Sequence, residues 1–357
     1  MQIQMTNKEI TNNNGYDFII VGQGIAGTLL GYFLMKQGKS VIFIDDHHQT
    51  SSSKYAAGII NPVTGRKFLA SWRIEELLPF AATTYDEIAL FLKEKVAYSV
   101  NMLRVIDNAE GENNWIARTA DPKVGQYMCE SSDEEDLIAV MNPVFARGEL
   151  KGTMRVDLPK IISLYRIYLE YSVQLFTDLF DYNQLNLYDG HVEYKGIKAK
   201  EIVFCEGYKI AQNPFFAEVK MAPTKGELLH VRIPGLQMER MYKDNVFIVK
   251  LSGDLYWVGG GYERNASGDL PSEERRGELI LELDRILKVP YEVVGQFAAI
   301  RPTIATRRPH LATSQNHNLV HAFNGLGTKG ASLGPFFANN FAQYLVTKNP
   351  RFLNLES

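Results

Sequence analysis

The chain has 357 residues, of which 45% are hydrophobic and 22% charged, and it carries a net charge of −3. This length supports a large core and two domains, and the slightly acidic balance argues against a nucleic-acid partner. Its two cysteines, Cys129 and Cys205, stand in unrelated contexts without metal-ligand spacing, which argues against a disulfide framework or a metal centre and fits a reducing compartment.

Residues 1–14 are polar, lack the basic start of a signal peptide and read as a disordered leader. Residues 18–35 are apolar enough to suggest a membrane span, but glycines at 22, 24, 27 and 31 interrupt them in a strand-turn-helix pattern. The expectation is a soluble, cytoplasmic protein without membrane insertion. The run Tyr16 to Val21 reads as a strand buried on both faces. Gly22-Gln23-Gly24-Ile25-Ala26-Gly27 follows at once, then a helix to about Gln37 with Leu29, Leu30, Phe33 and Leu34 as its apolar stripe.

A second strand, Ser40 to Ile44, ends in Asp45-Asp46. Strand, GxGxxG, helix, strand and acid together form a complete dinucleotide-binding unit. Gly22 permits the tight turn, Gly24 lets the backbone approach a pyrophosphate, and Gly27 lets the helix pack close to the strand. The amides of Ile25 and Ala26 open that helix towards the negative charge, and Asp45 or Asp46 accepts from a ribose. The unit alone does not separate NAD from FAD. The next stretch, SSSKYAAGII at 51–60, passes from hydroxyls to small residues that let a flat ring system lie against the backbone. His47-His48, between these stretches, reads as a solvated turn.

Further along, Arg73 to Lys95 reads as a helix broken or kinked at Pro79. Thr224 to Val231, Asn245 to Leu251 and Leu255 to Gly260 read as strands of one antiparallel sheet, and Pro271 to Leu287 as an exposed amphipathic helix. A last strand, about Leu319 to Phe323, feeds a second glycine turn, NGLGTKGASLGP at 324–335, that opens the final helix.

These stretches together resemble the D-amino-acid oxidase and glycine oxidase superfamily of FAD-dependent oxidoreductases. The matching segments are Ser51 to Ile59, Ile202 to Gly207, Lys225-Gly226-Glu227-Leu228, Ala299-Ile300-Arg301-Pro302 and the C-terminal turn. Within the superfamily, GLGTKG is most similar to the turn in the FAD domain of the bifunctional tRNA-uridine modification enzyme, whose methyltransferase half has no counterpart here.

The resemblance implies an α/β fold. A Rossmann-like FAD-binding domain (15–75, 150–215 and 305–357) is interleaved with an α+β substrate domain built on an antiparallel sheet (76–149 and 216–304). It places Ser52 and Ser53 near the pyrophosphate, Ala57, Gly58 and Ile59 along the flavin ring, and Gly207 close to the cofactor. Gly325, Gly327, Thr328, Lys329 and Gly330 then lie at the pyrimidine end of the ring. There the helix N-terminus favours negative charge on the reduced flavin.

For the chemistry, the resemblance implies hydride transfer from the carbon beside an amine to flavin N5. The imine is then hydrolysed, and dioxygen or another acceptor reoxidises the flavin. Arg301 grips the substrate carboxylate, and Phe247 and Tyr262 line the pocket. Glycine oxidase's second arginine falls on Thr328, with Lys329 beside it to compensate. FAD is expected to be non-covalent, because neither cysteine is near the C-terminal turn in sequence. A nicotinamide-dependent dehydrogenase would leave the second turn without a use, and a non-catalytic FAD-binding protein would hold flavin that no amine reduces. The sequence names neither the amine nor the oligomeric state.

Overall fold

The computed structural model describes residues 15–48, 51–129, 132, 134–261, 263–264 and 268–354. The polar leader and Tyr262 lie outside the described residues.

Strand β1 (Tyr16–Val21) is buried from Phe18 onward, as an apolar run flanked on both faces requires. It turns directly into helix α1 (Ile25–Lys36) and returns as β2 (Val41–Asp45). Helix α2 (Leu158–Tyr171) opens with Asp157 accepting from the amide of Lys160, and leads to β3 (Leu175–Thr177). Strand β4 (Ile197–Phe204) and β5 (Val320–Asn324) complete a parallel sheet in the order β3-β2-β1-β4-β5. Ile19 stands between Ile42 and Ile202, and Ile202 faces Val320 in turn. The chain leaves β1 for β2 on one side and reaches β4 on the other. The crevice beyond the carboxyl end of β1 is therefore a switch point, the usual ligand position in such sheets.

Helix α3 (Gly330–Thr347) packs along α1. Added Cβ atoms at Gly330 and Gly334 would lie 3.3 Å from Ile25 Cγ2 and 2.7 Å from Leu29 Cδ1, so these two glycines let the helices approach closely. The helix Ile74–Leu92 runs through Pro79 without ending there. Its buried Leu77, Ala81, Tyr85 and Ile88 join the same core, and the Tyr85 hydroxyl donates to the carbonyl of Ala331 over 2.8 Å.

The second sheet is mainly antiparallel. Thr224–Arg232 is flanked by Glu292–Arg301 and Leu255–Gly259; beyond the latter come Phe247–Ser252, Met241–Lys243, Met102–Ile106 and Ala146–Leu150. Glu273–Ile286 forms the amphipathic helix and buries Leu279, Leu283 and Ile286 on that sheet's own core. Among the described residues no helix is long and apolar enough to cross a membrane.

Candidate active site

A cavity of about 940 Å³ lies where the carboxyl ends of β1, β2 and β4 meet one face of the second sheet. It is lined by Gly22, Gly24, Ile25, Ala26, Asp45, Asp46, Ser52, Ser53, Ala57, Gly58, Ile59, Gly207, Phe247, Arg301, Gly327, Thr328, Lys329 and Gly330. The fold thus gathers into one hollow residues that are hundreds of positions apart.

The first turn is held by its own backbone. Gly22 has φ +94°, and a Cβ there would lie 2.6 Å from the carbonyl oxygen of Cys205. A Cβ on Gly27 would lie 1.9 Å from the carbonyl oxygen of Gly22. Helix α1 starts without a cap from Gly24, and the Ser53 hydroxyl accepts from the amide of Ile25 over 3.1 Å. Ser51, the first hydroxyl of the serine run, caps the short turn at Ser52–Lys54 and would touch a Cβ on Gly24. A helix N-terminus with three hydroxyls around it matches the donor set of a phosphate site.

Asp45 is 7% exposed. Its carboxylate accepts from the Gln23 amide and the His48 amide, each over 2.9 Å, and pairs with Arg166 at 2.7 Å. Three donors leave one of about four acceptor positions for a ribose hydroxyl. Asp46 is paired with Lys209 at 3.2 Å and also lines the hollow. His48 corrects the solvated-turn expectation: it is 6% exposed and hydrogen-bonded to Gln23, while only its neighbour His47 faces solvent. Burial holds the His48 imidazole below its ordinary pKa. Arg166 carries no motif and was invisible in the sequence, because helix α2 brings it to Asp45 from 121 residues away.

Gly58 has φ +69°, and a Cβ there would collide with the carbonyl oxygen of Val156 at 1.7 Å. Its glycine is therefore required by the strand behind it as well as by the cavity in front. Gly207 differs: it has φ +60°, and a Cβ would meet nothing within 4 Å. Beside it, the Glu206 carboxylate accepts from Tyr182 over 2.6 Å and from Asn213 over 2.8 Å, and burial pushes its pKa up to about 7. Cys205 also lines the cavity, with burial holding its thiol protonated. A protonated thiol is a poor nucleophile for attachment to a cofactor.

At the second turn Gly325 has φ +76°, with Ile304 and the Arg308 carbonyl against its Cβ position. Gly327 has φ +54°. Lys329 precedes helix α3 and supplies no side-chain cap, so the N-terminus opens on the cavity. Burial and the nearby Arg308 lower the Lys329 pKa.

On the second sheet, Phe297, Leu228, Gly259, Phe247, Lys243 and Arg104 form one row of directly paired residues. Paired residues share a face, and Arg301, four residues beyond Phe297, lies on it too. Arg301 Nη1 donates to the Gly261 carbonyl over 2.8 Å, and its guanidinium fills the place a Cβ on Gly226 would take, at 2.2 Å. Gly226 thus makes room for Arg301. The flanking Lys225 and Glu227 pair with each other at 2.8 Å, and Ser272 donates to Glu227. The segment after β2 docks on this face: Tyr55 stacks on Phe297 with ring centroids 5.0 Å apart, and Trp257 donates to the Tyr55 carbonyl. The hairpin that follows adds Asn61, Thr64 and Arg66 to the lining, which sequence reasoning also missed.

The donor set fits a flavin dinucleotide: two open helix N-termini, a ring of serines, an acid at the end of β2 and a backbone gap at Gly207. Comparison with known proteins agrees. The family model for FAD dependent oxidoreductases (DAO) matches residues 17–344. Glycine oxidase from Geobacillus kaustophilus superposes with a TM-score of 0.75 at 20% identity, over 94% of this chain and 95% of that one. Glycine oxidase from Bacillus cereus gives 0.77 at 17% identity, over 95% and 97%. Iminodiacetate oxidase from Chelativorans gives 0.74 at 20% identity, over 93% and 96%.

Proposed function

The chain belongs to the DAO family of FAD-dependent oxidoreductases, and we propose that it oxidises the C–N bond of a small amine bearing a carboxylate, such as an amino acid. The observation that carries this reading is Arg301, held on the cavity face by Gly261 and accommodated by Gly226. Bound FAD would supply the acceptor for a hydride leaving the carbon beside the amine, and the resulting imine would hydrolyse in water. The protein's own part is orientation. Arg301 fixes the carboxylate through two parallel hydrogen bonds, and Phe247 walls the cavity beside it. Lys329 and the start of α3 would favour negative charge on the reduced cofactor. The FAD dependence of the family sets aside the nicotinamide alternative.

We assign the cofactor to residues 15–75, 150–215 and 305–357 and the substrate to 76–149 and 216–304. The packing of Ile74–Leu92 on α1 and α3 corrects that boundary: residues 76–92 go with the cofactor side, and the substrate part begins after Leu92. The glycine oxidase and iminodiacetate oxidase likenesses support an amino acid as substrate. Arg301→Ala tests the assignment. KM for a carboxylated amine should rise about 30-fold or more, the ~2 kcal/mol lost with a buried charged contact, and Arg301→Lys should recover only part of it. An unchanged KM in Arg301→Ala would remove Arg301 from the substrate.

A further inference from the structure

We propose that the amine substrate carries a second anionic group, received by Arg104 and Lys243 at the end of the sheet remote from Arg301. This rests on the reading of the cavity as an amine-oxidising site.

Arg104 and Lys243 come from strands 139 positions apart that pair in parallel, with the two residues directly opposite each other. Like charges in that position repel and destabilise a sheet. The usual remedy is an acid beside one of them. Among the described residues, neither has a carboxylate within ion-pair distance. Arg104 donates to the Gly65 carbonyl over 2.9 Å and lies 4.9 Å from the Phe68 ring centroid. Lys243 donates to the Asp244 carbonyl and lies 4.4 Å over the Phe247 ring. The Asp244 carboxylate is taken by Arg285 at 2.5 Å. Asp107 acts on Arg104, and Asp244 and Glu282 act on Lys243, only at longer range. Both cations line the cavity, so two adjacent positive charges face the space in front of the sheet. An anion there would relieve the repulsion and receive a planar fork and a point charge together.

The position also sets the shape of the ligand. Lys243 lies four strands across from Arg301 and four residues along from it, about 23 Å on a flat sheet. After both side chains reach inward and the sheet twists, the gap is on the order of 10 Å. A compact amino acid cannot fill it, whereas an elongated amine with an anion at each end can. A terminal carboxylate and a terminal phosphate would present the same chemistry.

The test uses the FAD-loaded protein and a series of N-(ω-carboxyalkyl)glycines, with a phosphonate-ended member of equal length. Dissociation constants come from the perturbed flavin spectrum under anaerobic conditions. Members with about five methylenes should bind roughly tenfold to a hundredfold tighter than glycine, and Lys243→Met should collapse that difference. Carboxylate and phosphonate arms of equal length then identify the preferred anion.

Melting temperature with pimelate against butyrate gives a second readout. Stabilisation by pimelate, lost in Lys243→Met, upholds the anion pair even if no amine bleaches the flavin, and that outcome would sink only the amine reading. Lys243→Met should itself melt no lower than the parent without ligand, since a repulsion is removed; Arg104→Met serves if it does not fold. Flat affinity along the series, a preference unchanged in the variant, or loss of FAD in place of loss of preference would each overturn the proposal.

Discussion

Both glycine turns end on a helix N-terminus facing one cavity, yet their surroundings differ in charge. Around the first stand the hydroxyls of Ser51, Ser52 and Ser53, and an acid, Asp45, already paired with Arg166. Around the second stand Lys329 and Arg308, and among the described residues neither has an ion-pair partner. A helix N-terminus attracts anions of any kind; its neighbours decide which. Hydroxyls and amides suit a permanent diphosphate, with the acid reserved for ribose. A lysine held below its ordinary pKa suits a charge that comes and goes, as on a redox ring.

The glycines differ in the same way. Gly27 is crowded by a backbone carbonyl at 1.9 Å, which cannot step aside, whereas Gly330 meets side-chain atoms alone, Ile25 Cγ2 at 3.3 Å and Leu326 Cβ at 4.0 Å. Breaking the first turn therefore has the largest expected effect. Gly27→Val should cost about 3 kcal/mol through forced backbone movement, and the purified protein should contain no flavin. Gly330→Ala should retain FAD and melt within a few degrees of the parent, the shift expected from about 1 kcal/mol. Equal flavin content in the two variants would erase the distinction.

Lys329→Met probes the second turn. It should keep FAD bound and lower the two-electron potential by about 30 mV, equivalent to ~1.4 kcal/mol, as read by dye equilibration. An unchanged potential would remove Lys329 from the ring.

On the substrate side, burial and the adjacent Arg104 hold the Lys243 pKa down to about 8, against the opposing pull of Asp244 and Glu282. Lys243 is charged below that pH. Affinity for a dianionic ligand should therefore be full at pH 7 and decline above about 8, while a monoanionic ligand should show no such decline. Titrations at several pH values separate the two.

The smallest effect concerns Glu206. Its carboxyl is raised from 4.5 to about 7, so the folded state holds its proton more tightly than the unfolded chain. Stability from this group is present at low pH and is lost as pH rises from about 4.5 to about 7. Glu206→Gln should therefore raise the melting temperature at pH 8 and raise it much less at pH 5.

The first turn could be read from the sequence because its requirements are local. Strand β1, the three glycines and the opening of α1 lie within 21 residues, and their spacing alone specifies the geometry. The same holds for the strand and helix around Gly325 to Gly330. Arg166 and the Arg104–Lys243 pair were not legible. Each acquires its role from a partner on another element, and no periodicity marks a cation that will face another cation across a parallel pairing. Phe247 reads from the sequence as a pocket residue; in the structure it lines the cavity and is also the surface under Lys243. Gly58 reads from the sequence as a ring contact, while its conformation answers to Val156 behind it.

The measurement that tests the central claim most directly is the visible spectrum of the purified protein before and after anaerobic addition of amines. The panel should include glycine, sarcosine, iminodiacetate and the longer N-(carboxyalkyl)glycines. The account predicts flavin bands at the start, and bleaching by at least one carboxylated amine but not by its decarboxylated counterpart. Flavin bands that no carboxylated amine bleaches, or that bleach equally with and without the carboxylate, would contradict it.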